Sequence, residues 1–150
     1  MEAEVYPSAE VTRFVTEHFV PVRVRVKEQP DTWHRFAIRW TPTVMTLVPE
    51  RREARRLEGF LPREDFLAEL QLQLAFAHVE QKQWKEAEEW FERVLRERPD
   101  AETAPEALYW AGVSRYSASR DPAELTKLAT QFMERYTNTS WAKRSIVWRR

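Results

Sequence analysis

Residues 57–70 read LEGFLPREDFLAEL, and the hydrophobic pattern of the chain changes within this stretch. Upstream of Gly59, apolar and polar residues alternate, which is typical of strands with one buried face. From Pro62 onward the apolar residues recur at helical spacing, beginning with the stripe Phe66, Leu67, Leu70, Leu74 and Ala77. The pattern predicts an α/β part followed by an all-α part, with domains at residues 1–72 and 62–150 that share helix 62–80.

Four more helices are expected downstream of residue 80. The second helix contains Trp84, Ala87, Phe91, Val94 and Leu95 and ends before Pro99, which cannot continue a helix. Thr103 and Glu106 form a capping-box pattern that opens a third helix through Tyr116. The sequence DPAE at 121–124 places Pro122 at the first position of a fourth helix, and a short fifth helix is expected from Ser140 through Val147.

The sequence before residue 60 predicts five elements in the order helix, strand, helix, strand and strand. A short helix follows the capping residue Ser8, and VPVRVRV at 20–26 alternates as a half-buried strand does. Asp31 is placed as the N-cap of a short helix from about Thr32, with Trp33, Phe36, Ala37 and Trp40 on one side. The segments 41–48 and 53–59 then predict a hairpin joined by PERR and closed by Gly59.

Composition and charge exclude several classes of function. Lys and Arg total 24, as do Asp and Glu, so no net charge attracts nucleic acid or an anionic membrane. No run approaches the roughly 20 apolar residues of a membrane span, and the N-terminus lacks the features of a signal peptide, so a cytoplasmic protein is expected. The absence of cysteine excludes disulfides, thiolate metal sites and cysteine nucleophiles in this chain.

No titratable residue stands in a pattern that predicts catalysis, a metal or a cofactor. His18, His34 and His78 lack metal-ligand spacing, and no pair of carboxylates has a context that would raise a pKa. A local basic cluster, made of Arg51, Arg52, Arg55 and Arg56, flanks the hairpin turn. We interpret these arginines as a solvated face that protects a sheet edge.

The first part of the chain resembles the thioredoxin-like family. Residues 2–11, 19–26 and 41–47 match, in order and spacing, phrases that follow the redox Cys-x-x-Cys motif in that family, and residues 57–70 match its final strand and helix. The most specific element is Thr41-Pro42, because the family's proline at that place is cis. The resemblance implies an exposed backbone ledge at Trp40, Thr41 and Pro42, on which an extended partner can pair.

This resemblance also implies a gap in the sheet. The family's first core strand and its Cys-x-x-Cys would lie upstream of Met1, and that strand pairs with the strands matching 20–26 and 42–48. Its loss leaves backbone groups unpaired, at about 1 to 3 kcal/mol for each buried group. Three explanations stay open: Met1 is internal to a longer product, another copy donates the strand in a homodimer, or the sheet has closed up without its active site.

The second part resembles a pair of tetratricopeptide repeats, in which two helices per repeat of roughly 34 residues cover each other's apolar faces. The first repeat, 68–101, has the family's packing residues at Leu74, Ala75, Ala87, Phe91 and Pro99. The second repeat, about 105–136, keeps Leu108, Gly112 and Tyr116 and is otherwise degenerate. Because fewer than three repeats are marginally stable alone, we expect the sheet part to cap the array.

Taken together, these patterns favour a redox-silent interaction module that binds a protein or peptide. The alternative is the larger part of a thiol-disulfide oxidoreductase with its nucleophile upstream of Met1, and a helical scaffold without a ligand is the third interpretation. The seven tryptophans, at 33, 40, 84, 90, 110, 141 and 148, can line a peptide groove, although most are expected in the core. Trp90 lies off the Trp84, Ala87, Phe91 stripe and is the candidate exposed aromatic.

Overall fold

The structure is a computed structural model that describes residues 8–25 and 27–149, apart from the side chain of Arg51. The helices are α1 (Ala9–His18), α2 (Pro30–Arg35), α3 (Arg63–Glu80), α4 (Trp84–Glu97), α5 (Ala104–Ser119), α6 (Ala123–Glu134) and α7 (Ser140–Ser145). The strands are β1 (Thr43–Val48) and β2 (Arg52–Glu58), and 3-10 turns span Pro49–Arg51 and Ile146–Trp148. A small mixed α/β part therefore precedes an all-helical part, and the change of period at 57–70 marks the end of β2 and the start of α3.

The predicted hairpin is confirmed. β1 pairs antiparallel with β2, with Val44 opposite Leu57 and Thr46 opposite Arg55. The amide of Gly59 donates to the carbonyl of Pro42 at 2.8 Å and closes the open end of the hairpin. Val44 and Leu57 point to the same side and pack on a cluster that α3 and α1 share. The hairpin thus lies on α3 by one face, as the alternating pattern predicts.

The strand predicted at 20–26 does not form in the described residues. Residues 20–25 belong to no helix or strand, and Val26, like residues 2–7 of the N-terminal match, lies outside the described residues. Val20, Val22 and Val24 are 91%, 80% and 41% exposed. Alternation shows only that a segment can be a strand, because a strand also needs a neighbour for its backbone groups and its apolar face. The described sheet consists of β1 and β2 and does not provide that neighbour here.

The helices after Gly59 pack in sequence, α3 on α4, α4 on α5, α5 on α6 and α6 on α7. Their shared core is fully or almost fully buried and includes Ala68, Leu72, Ala75, Ala87, Phe91, Val94, Leu108, Ala111, Leu128 and Phe132. Gly112 allows α5 and α6 to approach closely, since a Cβ at this position would lie 2.6 Å from Cδ2 of Leu128. Short connections and small residues at the contacts therefore give a continuous helical core.

α3 is buried all round because it serves both parts of the chain. Phe66, Leu67 and Leu70 join Val11 and Phe14 of α1 in one cluster. Other positions of α3, namely Ala68, Leu72 and Ala75, belong to the core of the helical array. The helix that the sequence assigns to 62–80 thus contacts the hairpin, α1 and α4 together.

The predicted helix starts are close to the observed ones, but their capping hydrogen bonds are absent. Ser8 and Thr103 precede α1 and α5, and neither side chain caps its helix. Thr103 has helical dihedral angles (φ −80°, ψ −9°) instead of the extended backbone of an N-cap, and its Oγ1 is buried without a partner in the described structure. The capping box is therefore wrong: the carboxylate of Glu106 binds Arg55 instead.

Two helix starts are displaced by one or two residues. α2 begins at Pro30 and ends at Arg35, so Asp31 is inside the helix and not its N-cap. Pro122 precedes α6, and the carboxylate of Asp121 accepts the amide of Ala123 at 2.9 Å. The side chain of Asp121, outside the helix, thus binds the first free amide of α6. Pro122 has no amide hydrogen and therefore needs no such partner.

Candidate functional site

The predicted ledge lies in the turn that leads into β1. The Thr41–Pro42 peptide bond is cis. The indole of Trp40 is 67% exposed, whereas Pro42 is half-buried. Two carbonyls of this turn already have donors, because Thr43 Oγ1 donates to the carbonyl of Trp40 at 2.7 Å and Gly59 donates to that of Pro42. The side chain of Trp40 thus remains accessible at the ledge.

An open polar depression lies beside this turn. Its walls are Ala37, Arg39, Arg56 and Glu58. Arg56 donates to the carbonyl of Phe36 at 2.7 Å and to the carboxylate of Glu53 at 2.7 Å. The hydrogen bond to Glu53 raises the pKa of Arg56 more than burial lowers it. Arg56 therefore ties the outer face of the hairpin to the segment after α2, and its charge is already matched.

The residues that resemble tetratricopeptide packing positions occupy the helix contacts. Ala75, Ala87, Phe91 and Leu108 lie in the core of the array, and Gly112 meets Leu128. Leu74 faces the other way and packs on the cluster shared with α1. Tyr116 is half-buried on α5, and the carbonyl of Pro99 accepts a hydrogen bond from the hydroxyl of Tyr136 at 2.7 Å. These side chains hold the helices together and leave little surface for a ligand.

Trp90 faces the N-terminal helix. Its ring meets Phe14 edge to face with centroids 6.0 Å apart and His18 with centroids 5.0 Å apart. The guanidinium of Arg93 stacks on the same indole at 5.0 Å. Trp90 is half-buried and contacts both apolar clusters, so it joins α1 to the helical array.

A row of five half-buried aromatic side chains runs across α3, α5, α7 and the last 3-10 turn. We call it the aromatic row, and its members are Phe76, Tyr109, Trp110, Trp141 and Trp148. Ring centroids lie 5.2 Å apart for Phe76 and Trp110, 5.9 Å for Trp110 and Tyr109, 5.2 Å for Tyr109 and Trp141, and 5.4 Å for Tyr109 and Trp148. The rings therefore form one connected surface built by the first helices of successive helix pairs.

The two ends of the aromatic row differ in charge. At one end the exposed Arg144 stacks over Trp141 at 4.2 Å. At the other end Arg55 stacks over Phe76 at 4.8 Å, but two carboxylates surround it. Burial raises the pKa of the Tyr109 hydroxyl in the middle of the row, against the smaller opposing effect of Arg144. The surface thus has a cationic end, an apolar centre and an end that carries a net negative charge.

Arg55 is the centre of a partly buried ionic cluster, and the prediction of a solvated Arg55 is wrong. Its Nε and Nη2 donate to Glu69 at 2.7 and 3.1 Å, and Nη1 and Nη2 donate to Glu106 at 2.9 Å each. Gln73 links Glu69 to Thr46 of β1. Burial alone would lower the pKa of Arg55, but the hydrogen bonds and charges of Glu69 and Glu106 together raise it.

The strand register explains why Arg55 is inside. Arg55 is opposite Thr46, on the hairpin face that lies against α3, whereas Arg56 is on the other face. The alternation of β2 contains this signal, but Glu69 and Glu106 lie 14 and 51 residues away in the sequence. Nothing local in the sequence pairs them with Arg55. Likewise, nothing in the local sequence places Phe76 and Tyr109 in one row with the three tryptophans. Helix packing brings these rings together.

A metal-binding cluster and a membrane-spanning helix are both absent from the part of the chain that the structure describes. Within residues 8–25 and 27–149, no three His, Cys, Asp or Glu side chains come together in a way that could hold a metal ion. No described helix combines the length and the apolar character that crossing a membrane requires.

Searches of protein-family profiles, of curated proteins and of solved structures found no match to this chain.

Proposed function

We propose that this protein is an interaction module that binds a peptide segment of a partner protein along the aromatic row. The observation that carries the proposal is the continuity of five half-buried rings across three helices and the last turn. Aromatic side chains that are partly exposed and rigidly held are the main energetic contributors at protein interfaces, because they bury a large area at small cost in conformational entropy.

Charge gives the bound peptide a direction. Arg144 is exposed above Trp141 and is available to an acidic side chain or a terminal carboxylate. At the opposite end Arg55 already binds Glu69 and Glu106, so this end repels carboxylates. We therefore expect apolar peptide side chains on the rings and an acidic group near Arg144. The redox-silent character follows from the lack of cysteine in this chain, which also leaves the thiol-disulfide alternative without a nucleophile here.

The test is a selection of peptides from a random displayed library on the full chain. Selected peptides are then measured by fluorescence anisotropy against wild type, Trp141→Ala and Arg144→Glu. We expect each substitution to weaken binding by about tenfold or more, because it removes an aromatic anchor or reverses the charge at the row's end. Trp84→Ala is the matched control, since Trp84 is half-buried at the start of α4 and outside the row.

Indole N–H resonances locate the contact independently of the variants. In a spectrum of the wild-type protein, a selected peptide should shift the signals of Trp110, Trp141 and Trp148 and leave that of Trp84 in place. Peptides that bind Trp141→Ala and Arg144→Glu as tightly as wild type, or that shift only the other tryptophans, would show that the aromatic row is not the binding surface.

A further inference from the structure

The free polar groups along the aromatic row are hydrogen-bond donors. An indole has one polar group, the Nε1–H, which donates and cannot accept. Trp110, Trp141 and Trp148 each contribute one such group to the row, and the structure gives none of them an acceptor within the described residues. The exposed guanidinium of Arg144, which stacks on Trp141, can also only donate.

These indole donors are open to solvent. All three tryptophans are half-buried, and no indole nitrogen is among the described polar atoms that are buried without a partner. Water therefore accepts from the indoles in the free protein. A ligand that covers the rings has to bring acceptors of its own, because a donor that loses water without gaining a new partner costs free energy.

Acceptors, in contrast, are scarce on the row. Of its five rings only Tyr109 carries an oxygen, and Phe76 has no polar group. At the Phe76 end the carboxylates of Glu69 and Glu106 already accept from Arg55. Free amide groups of a ligand backbone would thus find few partners on this surface.

The conformation of the ligand backbone decides whether it meets this demand. An α-helical peptide uses its carbonyls within the helix. A β-strand pairs with a sheet edge through donors and acceptors together, whereas the row is built on helices and a 3-10 turn. Polyproline II has no internal hydrogen bonds, so its carbonyls are free, and proline has no amide hydrogen. Only a proline-rich backbone thus offers acceptors without donors.

We propose that the peptide bound on the aromatic row is a proline-rich segment in the polyproline II conformation. Its carbonyls accept from the indoles of Trp110, Trp141 and Trp148, and its proline rings pack on the aromatic faces, a mode of recognition that aromatic-lined grooves use. Because the conformation exists before binding, little conformational entropy is lost. This inference rests on the function proposed above and adds the chemical class of the ligand.

The probe is a labelled peptide of eight prolines followed by one glutamate, with both ends blocked, and the readout is fluorescence anisotropy with the full chain. We expect it to bind at least about tenfold more tightly than the same peptide with alanine in place of proline. Trp141→Phe keeps an aromatic ring but removes the N–H donor, so it should weaken binding about two- to tenfold. Trp84→Phe, outside the row, is the matched control and should leave binding unchanged.

Hydrogen bonding to the indoles is measured in the wild-type protein, where failure to fold cannot imitate the result. The proline peptide should move the indole N–H proton signals of Trp110, Trp141 and Trp148 downfield and slow their exchange with water, and it should leave the signal of Trp84 in place. Equal affinity for the proline and alanine peptides, or unchanged indole exchange in the complex, would overturn the inference. So would an equal loss of affinity in Trp84→Phe and Trp141→Phe.

Failure of this inference and failure of the proposed function give different results. If library-selected peptides bind wild type but lose affinity for Trp141→Ala and Arg144→Glu, while the proline peptide does not bind, the polyproline II inference is wrong and the row remains a peptide site. If neither the selected peptides nor the proline peptide shifts the indole signals of the row, both proposals are wrong.

Discussion

The helical array and the valine segment, residues 20–25, contain hydrophobic residues in equally regular patterns, yet the array buries them and the valine segment does not. In the array Ala75, Ala87, Phe91 and Leu128 have no exposed surface. In the valine segment Val20 and Val22 are 91% and 80% exposed. The difference lies in the backbone, because a helix binds its own amides and carbonyls whereas a strand needs another strand.

Helical and strand patterns need different kinds of neighbour. A helical stripe is completed by any neighbouring helix, and here the next helix in the sequence is always adjacent. A strand is completed only by a partner in register, and β1 and β2 obtain it through a tight hairpin. The valine segment lies between two short helices, α1 and α2, so sequence neighbours offer it no strand.

Phe91→Ala should have the largest effect. Phe91 is fully buried in the array and meets the ring of Phe76 edge to face at 5.3 Å. Its truncation leaves a cavity and should lower the free energy of unfolding by about 3 to 5 kcal/mol, measured by urea denaturation. Val22→Ala, in the exposed segment, should change it by less than about 0.5 kcal/mol. Equal effects at the two positions would contradict the difference in burial.

Arg55→Met should come second. The substitution leaves the carboxylates of Glu69 and Glu106 facing each other without their cation, and both side chains are largely buried. Because Arg55 keeps 20% of its side-chain surface exposed, we expect a loss of about 2 to 4 kcal/mol in urea denaturation.

Arg52→Met is the matched control for this change. Arg52 is on the same strand and pairs with Glu80 at 3.1 Å, but 52% and 39% of these side chains are exposed. Its loss should cost less than about 1 kcal/mol. If the two variants were equally stable, the Arg55 cluster would contribute no more than a surface ion pair.

Trp90→Ala should act on the junction between α1 and the helical array. The indole joins Phe14 and His18 of α1 to the array, and aromatic contacts of this kind contribute about 0.5 to 1.5 kcal/mol each. We expect a loss of about 2 kcal/mol and faster hydrogen exchange at amides of α1, with the protection of α5 and α6 unchanged. Faster exchange throughout the chain would show that α1 and the array unfold as one unit.

Glu97→Gln should have the smallest effect and should depend on pH. Burial alone would raise the pKa of Glu97, but hydrogen bonds from Gln71 and Arg93, at 2.6 and 2.8 Å, lower it. A carboxyl group with a lowered pKa stabilises the fold above its unfolded pKa of about 4.3, and this contribution disappears as the pH falls through the folded pKa.

The stability advantage of the wild type over Glu97→Gln should therefore be present at pH 7 and shrink below about pH 4. It should stay under about 1 kcal/mol, because a third of the Glu97 side chain is exposed (33%). Glu89→Gln, at an exposed position of the same helix, is the control. A difference from wild type that is constant with pH would contradict a role for the ionised carboxylate.

Sequence reasoning predicted the elements whose partners are near in the chain. The hairpin, the order of the helices after Gly59 and the end of α4 before Pro99 follow from period, turn length and the missing amide of proline. Three of the five rings of the aromatic row were recognised as candidates for a groove, at positions 110, 141 and 148. Phe76 and Tyr109 were not, because a ring at helical spacing has the same pattern in a core and in a binding surface.

The predictions that failed depend on distant partners. The capping box at Thr103 and Glu106 was a sound local pattern, but Arg55 binds Glu106 twice and the backbone of Thr103 is helical. Two charge-assisted hydrogen bonds to a buried arginine are stronger than one bond to an amide at a helix start. The charged neighbours of Arg55 in the sequence favour a solvated position, which the structure does not show.

The amino-acid sequence is sufficient to predict the division at residues 57–70, the helices that follow it and the alternation of the two paired strands. Periodicity and turn chemistry act over a few residues, so they can be read directly from the chain. Tertiary contacts, in contrast, determine that two carboxylates enclose Arg55, that five rings form one row and that Val20, Val22 and Val24 stay exposed. Each of these features depends on whether a distant part of the chain packs against the residue. The local sequence does not show which distant residues come close in space.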